Sequence, residues 1–391
     1  MKTYPIRFTP DERWIKILRV VAILGGVIFI LGLFFAPERI WPNVLLANYY
    51  LLGLGLAGVF FIAIQYVSNA GWAAAIRRVP ESMTSVLPVA AVLMLLMIFG
   101  IHTLYHWSHE SVVAQDHLLQ AKSGWLNTPF FIVRIVVYFA LWILFTLFMV
   151  RFSRKQDENG DLSYTKKNVR LSAIFLVVFP VTFSLACFDW IMSLEPHWFS
   201  TIFAVYNFTG LFLNGIAALT FIVILLRRWG VLQGIVTESH LHDLGKLLFA
   251  FSTFWMYIWF SQYILIWYAN IPEEVIYFTR RETGSWFTFG FLNLAFNWVF
   301  PFILLISAKA KKNEGLLFKA CIIVMVGHWI DLFWMILPPF MTNISFVSIW
   351  DIGPVAGAIA LFFLITFRSL SRGNVIPIND PYLSESLHYH S

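Results

Sequence analysis

Cysteine is nearly absent: the chain has two in 391 residues, Cys187 and Cys321, each inside an apolar run. They cannot ligate an iron–sulfur cluster, and no zinc spacing occurs, so no metal centre is expected. Charge is scarce as well. Asp, Glu, Lys and Arg make up 12% of the chain against 59% hydrophobic residues, too little to coat a soluble domain of this length. There is no phosphate-binding glycine loop, no His-Glu-x-x-His zinc motif and no signature of a Ser/His/Asp arrangement. A secretion signal is not expected either. Asp11 and Glu12 interrupt the first 14 residues, and no small-x-small site follows "VVAILGGVIFILGLFF". That run reads as a retained first span.

Long apolar runs are what the chain does have. About 20 such residues cross the hydrocarbon core of a bilayer. Ten segments qualify: 15–35, 44–67, 86–107, 129–150, 171–193, 200–226, 246–270, 285–308, 316–338 and 346–367. The expectation is an all-α integral membrane protein of about ten transmembrane helices, with residues 1–391 as a single polytopic domain. The 40 Phe and 17 Trp fit a surface that meets lipid and headgroups. The longest polar stretch, "RFSRKQDENGDLSYTKKNVR" at 151–170, reads as an exposed loop.

Basic residues set an orientation. With the N-terminus in the cytoplasm, only Arg39, Lys122, Arg134, Arg280 and Arg281 face the other side, and the remaining 22 of 27 fall on the cytoplasmic side. The positive-inside rule then places both termini in the cytoplasm. The formal net charge of +6 is thereby a topology signal, and nucleic acid is not an expected partner.

An internal repeat is visible. "ANYYLLGLGLAG" (47–58) lies over "AVYNFTGLFLNG" (204–215), matching Tyr49 with Tyr206, Gly53 with Gly210 and Gly58 with Gly215. Asp189 precedes Pro196 by seven residues, as Asp331 precedes Pro338. A four-helix unit repeated in one orientation predicts two tandem four-helix bundles, 44–193 and 200–338, with spans 1 and 10 flanking them.

The stretch "DWIMSLEPHW" ends the fifth span with an aspartate that membrane insertion disfavours by about 2.5–3.5 kcal/mol. Other costly groups fall at similar depth. His102 and His106 are four apart near the outer end of span 3, and Glu110 continues their face if the helix runs on. Arg134 lies inside the outer end of span 4. Gln262 and Tyr263 lie in the outer part of span 7, and His328 precedes Asp331 in span 9. Asn293 and Asn297 sit near the middle of span 8. Opposite charges facing each other would let Arg134 and His102 offset Asp189. These residues are candidates for a proton relay or a quinol site, and the competing reading is that they pair as structural staples. On the cytoplasmic side Glu238, His240, His242, Asp243 and Lys246 form either a proton entrance or a solvated helix cap. Haem is not expected, because His102 and His106 share a helix and His328 belongs to the other bundle.

"DWIMSLEPHWFSTIFAVY", "HDLGKLLFAFSTFWMYIWFSQYILIWYANIPEE" and "GHWIDLFWMILPP" closely resemble the F-type membrane subunits of alternative complex III, a bacterial quinol:cytochrome c oxidoreductase. These belong with the polysulfide-reductase-type (NrfD-like) membrane anchors, and the resemblance covers nearly the whole chain. It implies paired four-helix bundles in the bacterial inner membrane. The implied partners are a longer homologous C-type membrane subunit, a periplasmic iron–sulfur subunit and haem-c subunits. Haem c and the iron–sulfur clusters would belong to those partners, leaving quinone as the small-molecule candidate here. Quinol oxidation is assigned chiefly to the C-type subunit, so proton translocation and scaffolding are the implied roles, with direct quinol binding as the alternative. A secondary transporter is a third reading that the repeat permits. Against it, Pro180 has no matching helix break in span 9.

Overall fold

In the computed structural model, which describes residues 6–344 and 346–390, ten helices are long and apolar enough to cross a membrane. They are span 1 (Glu12–Phe35), span 2 (Pro37–Val67), span 3 (Arg78–Leu104), span 4 (Thr128–Asn159), span 5 (Ser163–Leu194), span 6 (Phe203–Arg228), span 7 (Glu238–Ala269), span 8 (Ser285–Leu305), span 9 (Glu314–Ile336) and span 10 (Ile349–Leu370). The protein is an all-α membrane protein. Among the described residues the only strand-like pairing is an isolated bridge between Arg7 and Asn374. Lys2, counted above with the basic residues, lies outside the described residues.

Spans 2 to 5 close one ring of four helices and spans 6 to 9 a second, meeting through spans 2 and 6. Along their most apolar 18-residue stretches 83% and 89% of the residues are buried, against 11% in span 1, so these two form the core of the molecule. Small residues allow that approach: a Cβ on Gly215 would lie 2.0 Å from the Ala57 methyl. Spans 1 and 10 pair with each other outside the first ring, where Gly25 and Gly357 leave room for backbone contact.

Loop contacts sort into two sides. On one, Arg7 pairs with Asn374, Arg77 with Asp380, and Gln156 with Asn379; we call it the tail side. On the other, Lys122 meets Pro196, His197 meets Asp116, and Arg280 meets Glu195; this is the Glu195 side.

Helices run eight or more residues beyond the expected bounds at three places. Residues 151–170 are not an open loop, since spans 4 and 5 run on as helix and turn within residues 160–162. Gly160 supplies the left-handed φ of +68° that ends span 4, and Asp161 accepts the Ser163 N–H at 2.8 Å. Span 3 begins at Arg78 rather than residue 86, because Arg78 is paired inside the fold. Span 7 begins at Glu238, eight residues before the expected 246, with Thr237 and His240 forming a capping box.

Candidate functional site

The two repeat-related aspartates occupy matching places and hold different chemistry. Asp189, fully buried near the end of span 5, accepts from Arg134 Nε at 2.8 Å and Nη2 at 2.9 Å. Trp125 Nε1 at 2.8 Å and the Tyr138 hydroxyl at 2.9 Å complete its shell. The remaining Arg134 Nη1 donates to the Trp125 carbonyl at 2.8 Å, and the Trp125 and Phe130 rings flank the guanidinium. All three guanidinium nitrogens and both carboxylate oxygens of this pair are hydrogen-bonded, which is what makes burial of two charges tolerable. It is a closed latch.

His102 does not help to neutralise Asp189, contrary to expectation. Span 3 ends at Leu104, and Tyr105 is extended at φ −123° and ψ 112°, so His102, His106 and Glu110 share no helical face. All three are exposed. The His102 ring bonds Ser108 at 3.0 Å and lies tilted against the His109 ring, their centroids 5.0 Å apart. The buried Tyr105 hydroxyl instead donates to the Trp190 carbonyl, which fixes the chain where it breaks.

Asp331, five residues before the end of span 9, sits in a different shell. Its donors are Tyr206 of span 6, Trp255 Nε1 of span 7 at 3.2 Å and Asn293 Nδ2 of span 8 at 2.9 Å. His328 Nδ1 lies 3.8 Å away, and no Lys or Arg among the described residues is within ion-pair distance. Gly210 makes the space: a Cβ there would be 3.1 Å from Asp331 Oδ2 and 3.2 Å from His328 Cε1. Tyr49, the first-bundle match of Tyr206, turns away from its aspartate to Asn207 and Cys187, both at 3.1 Å. A carboxyl held by neutral donors can hold or release a proton without stranding a partner charge. Asp189 cannot.

A polar column leads from Asp331 toward mid-span. Asn293 Oδ1 accepts from Asn297 Nδ2 at 2.7 Å, and the Asn297 carbonyl accepts from Ser252 Oγ at 2.6 Å. Residues Ala295–Val299 form a π-turn, followed by Pro301. Proline has no N–H to offer the carbonyl four residues earlier, which is that of Asn297, and Ser252 supplies the missing donor. Local π geometry of this kind recurs at functional sites. Span 4 is helical throughout, so this break has no first-bundle counterpart.

Gln262 and Tyr263 stand apart from the column. Gln262 is buried, while Tyr263 lines a cavity of about 170 Å³ with Trp259, Phe278, Glu282 and Trp334 on the Glu195 side. The indole N–H groups of Trp259 and Trp334 are buried there without a partner. One layer deeper, Trp259 stacks on the Trp255 that holds Asp331.

On the tail side, His240 is fully buried beneath the chain's own tail. Its Nδ1 lies 2.9 Å from the Thr237 hydroxyl and its Nε2 3.2 Å from the Ser386 hydroxyl. Asp243 is buried and paired with the exposed Lys246; Glu238 is exposed and His242 half-buried. The nearby Asp243 carboxylate, ahead of burial, pushes the Tyr389 phenol up to about 12. The group is a covered cap in this conformation, with the tail across the expected entrance.

Sequence reasoning missed a second buried charge cluster on the tail side. Arg78 bridges Glu81 and Asp157, and Ser153 donates to Glu81 at 2.6 Å; Arg77 pairs with Asp380 over the Tyr66 ring. The i, i+3 spacing of Arg78 and Glu81 was the available signal. It missed Glu195 as well, which takes both Arg280 and Arg281 at 2.8 Å and so staples the inter-bundle turn to the short helix Pro272–Arg281.

Neither protein-family models nor the curated proteins searched contain a match to this chain. Among the described residues, no group of three or more His, Cys, Asp and Glu could hold a metal ion.

Proposed function

We propose that the chain is a membrane subunit of a respiratory quinol oxidoreductase of the alternative complex III type, contributing proton coupling and scaffolding beside a quinol-oxidising C-type subunit. Sequence resemblance supports the complex. The single observation that supports the role is the contrast between the aspartates: one is latched by arginine, the other is held by neutral donors at the head of a polar column. Asp331 is therefore the proton-bearing candidate, with His328, Asn293, Asn297 and Ser252 along its path, while Arg134 and Asp189 hold the first bundle together. In this reading the chain sits in the bacterial cytoplasmic membrane with both termini inside. The iron–sulfur and haem-c subunits lie on the Glu195 side.

The deciding experiment is Asp331→Asn in the complete complex, reconstituted into vesicles. The amide preserves shape and hydrogen-bonding size but cannot carry the proton. Quinol oxidation should continue while protons moved per electron fall. An unchanged ratio in an assembled complex would sink this role.

A second reading, direct quinol binding, is favoured by the aromatic cavity beside Tyr263. Its two unpartnered indole N–H groups could meet carbonyl oxygens of a ring that the aromatic walls admit. Trp334→Phe removes one donor and keeps an aromatic ring in the wall. Weakened quinol affinity with an intact proton ratio would favour this reading over coupling.

A further inference from the structure

Four of the five basic residues on the Glu195 side have a carboxylate: Arg39 meets Asp351, Arg134 meets Asp189, and Arg280 and Arg281 share Glu195. Lys122 is the fifth, and among the described residues none lies within ion-pair distance of it. Its ammonium donates to the Pro196 carbonyl at 2.5 Å. Burial pulls its pKa down, and Asp116 opposes this only at longer range. Asp116 is itself turned to His197, at 2.5 Å.

Lys122 stands at the rim of a cavity of about 430 Å³ walled by Leu126, Leu185, Phe188, Met192 and Phe199. Below the rim the apolar wall continues along span 5. Val181 and Val177, four and eight residues before Leu185, are 60% and 72% exposed. One helical stripe thus leads from a lysine without an anion at the surface toward the hydrocarbon. A soluble anion would satisfy the lysine and leave the groove unused, and an uncharged chain would do the reverse.

We propose that this cavity binds one anionic glycerophospholipid, its phosphodiester on Lys122 Nζ and an acyl chain along Leu185, Phe188 and the Val181–Val177 stripe. The lipid would also cover Trp125, which lines the same cavity and donates to Asp189, so it would shield the Arg134 latch from the bilayer. The site does not depend on the respiratory reading.

The test uses the purified full chain, delipidated and then loaded with dioleoyl phosphatidylglycerol or dioleoyl phosphatidylcholine, with retained lipid counted by native mass spectrometry. The native chain should retain one phosphatidylglycerol in preference to phosphatidylcholine by roughly fivefold, the attraction of one lysine near an anionic headgroup. Lys122→Gln should erase that preference, and Lys122→Arg should keep it. Leu185→Trp, which fills the groove and leaves the lysine, should lower retention of both lipids. No preference in the native chain, or the same preference in Lys122→Gln, overturns the proposal. So does full retention in Leu185→Trp with displacement by inorganic phosphate, which would reveal a headgroup-only anion site.

Discussion

Arg134 meets Asp189 side-on, with Nε on one carboxylate oxygen and Nη2 on the other, both within 2.9 Å and both side chains buried. Planar guanidinium and planar carboxylate match in two parallel bonds, a geometry that a lysine could not reproduce. The pair joins span 4 to span 5 just below the surface on the Glu195 side.

Asp189→Asn should therefore act first on stability. It leaves a buried guanidinium without its counter-charge, which costs roughly 3–5 kcal/mol when one partner of a buried pair is removed. Assembly yield and thermal stability in detergent should both drop. Changing Arg134 to Met together with Asp189→Asn should recover most of that loss. If the single variant assembles like the native chain, the latch is not structural.

Ser252→Ala tests the π-turn. It strips the only side-chain donor seen on the Asn297 carbonyl, and leaving such a group unsatisfied costs about 1–3 kcal/mol. Hydrogen exchange in residues 293–301 should quicken while the first bundle keeps its protection. Unchanged exchange would mean that the turn does not need span 7.

Gly210→Ala presses a methyl against Asp331 and His328, where the gap is 3.1–3.2 Å. Overpacking of this kind costs about 1–3 kcal/mol. Gly53, its partner in the repeat, meets only a leucine side chain at 3.4 Å, so Gly53→Ala should be milder. Equal thermal shifts in the two variants would contradict the crowded second site.

Acid should reveal the Asp116 contact. The Leu119 backbone N–H, then His197, hold its carboxyl below the usual carboxylate range. A depressed folded value contributes stability that is present above the unfolded pKa, near 3.9, and lost as pH falls through the folded value. Asp116→Asn should lower stability near neutral pH, and its difference from the native chain should vanish at strongly acid pH. A difference that persisted there would have to come from shape alone.

The isolated chain should carry neither haem nor iron, since its thiols are far apart in sequence and its neighbouring histidines His102 and His109 are spent on local bonds. Visible absorption and metal analysis decide this, and a stoichiometric haem spectrum would contradict it.

Hydropathy made the ten spans legible, because a bilayer tolerates little else for so long a stretch. The Arg134–Asp189 pair was legible for a related reason: two costly charges at one depth on neighbouring helices have few alternatives to each other. The partners of Asp331 were not. They come from three different spans, and which side of each helix faces inward depends on rotations that apolar all-round helices leave undetermined. The 151–170 segment misled because its charges mark solvent rather than loop, and a helix projecting from the membrane carries the same composition. His102 misled because a helical face was extended across residues that turn out to break the helix.

Arg77 and His240 are both buried, and both find partners in the segment 380–386, some 303 and 146 residues further along the chain. Neither bond can form until the chain has been made past span 10 and the segment that follows it has folded back. Both are therefore late contacts in the making of the fold. A chain halted before residue 380 would keep Arg77 on the Tyr66 ring and His240 on Thr237, but would leave the guanidinium without its carboxylate and His240 Nε2 without the Ser386 hydroxyl.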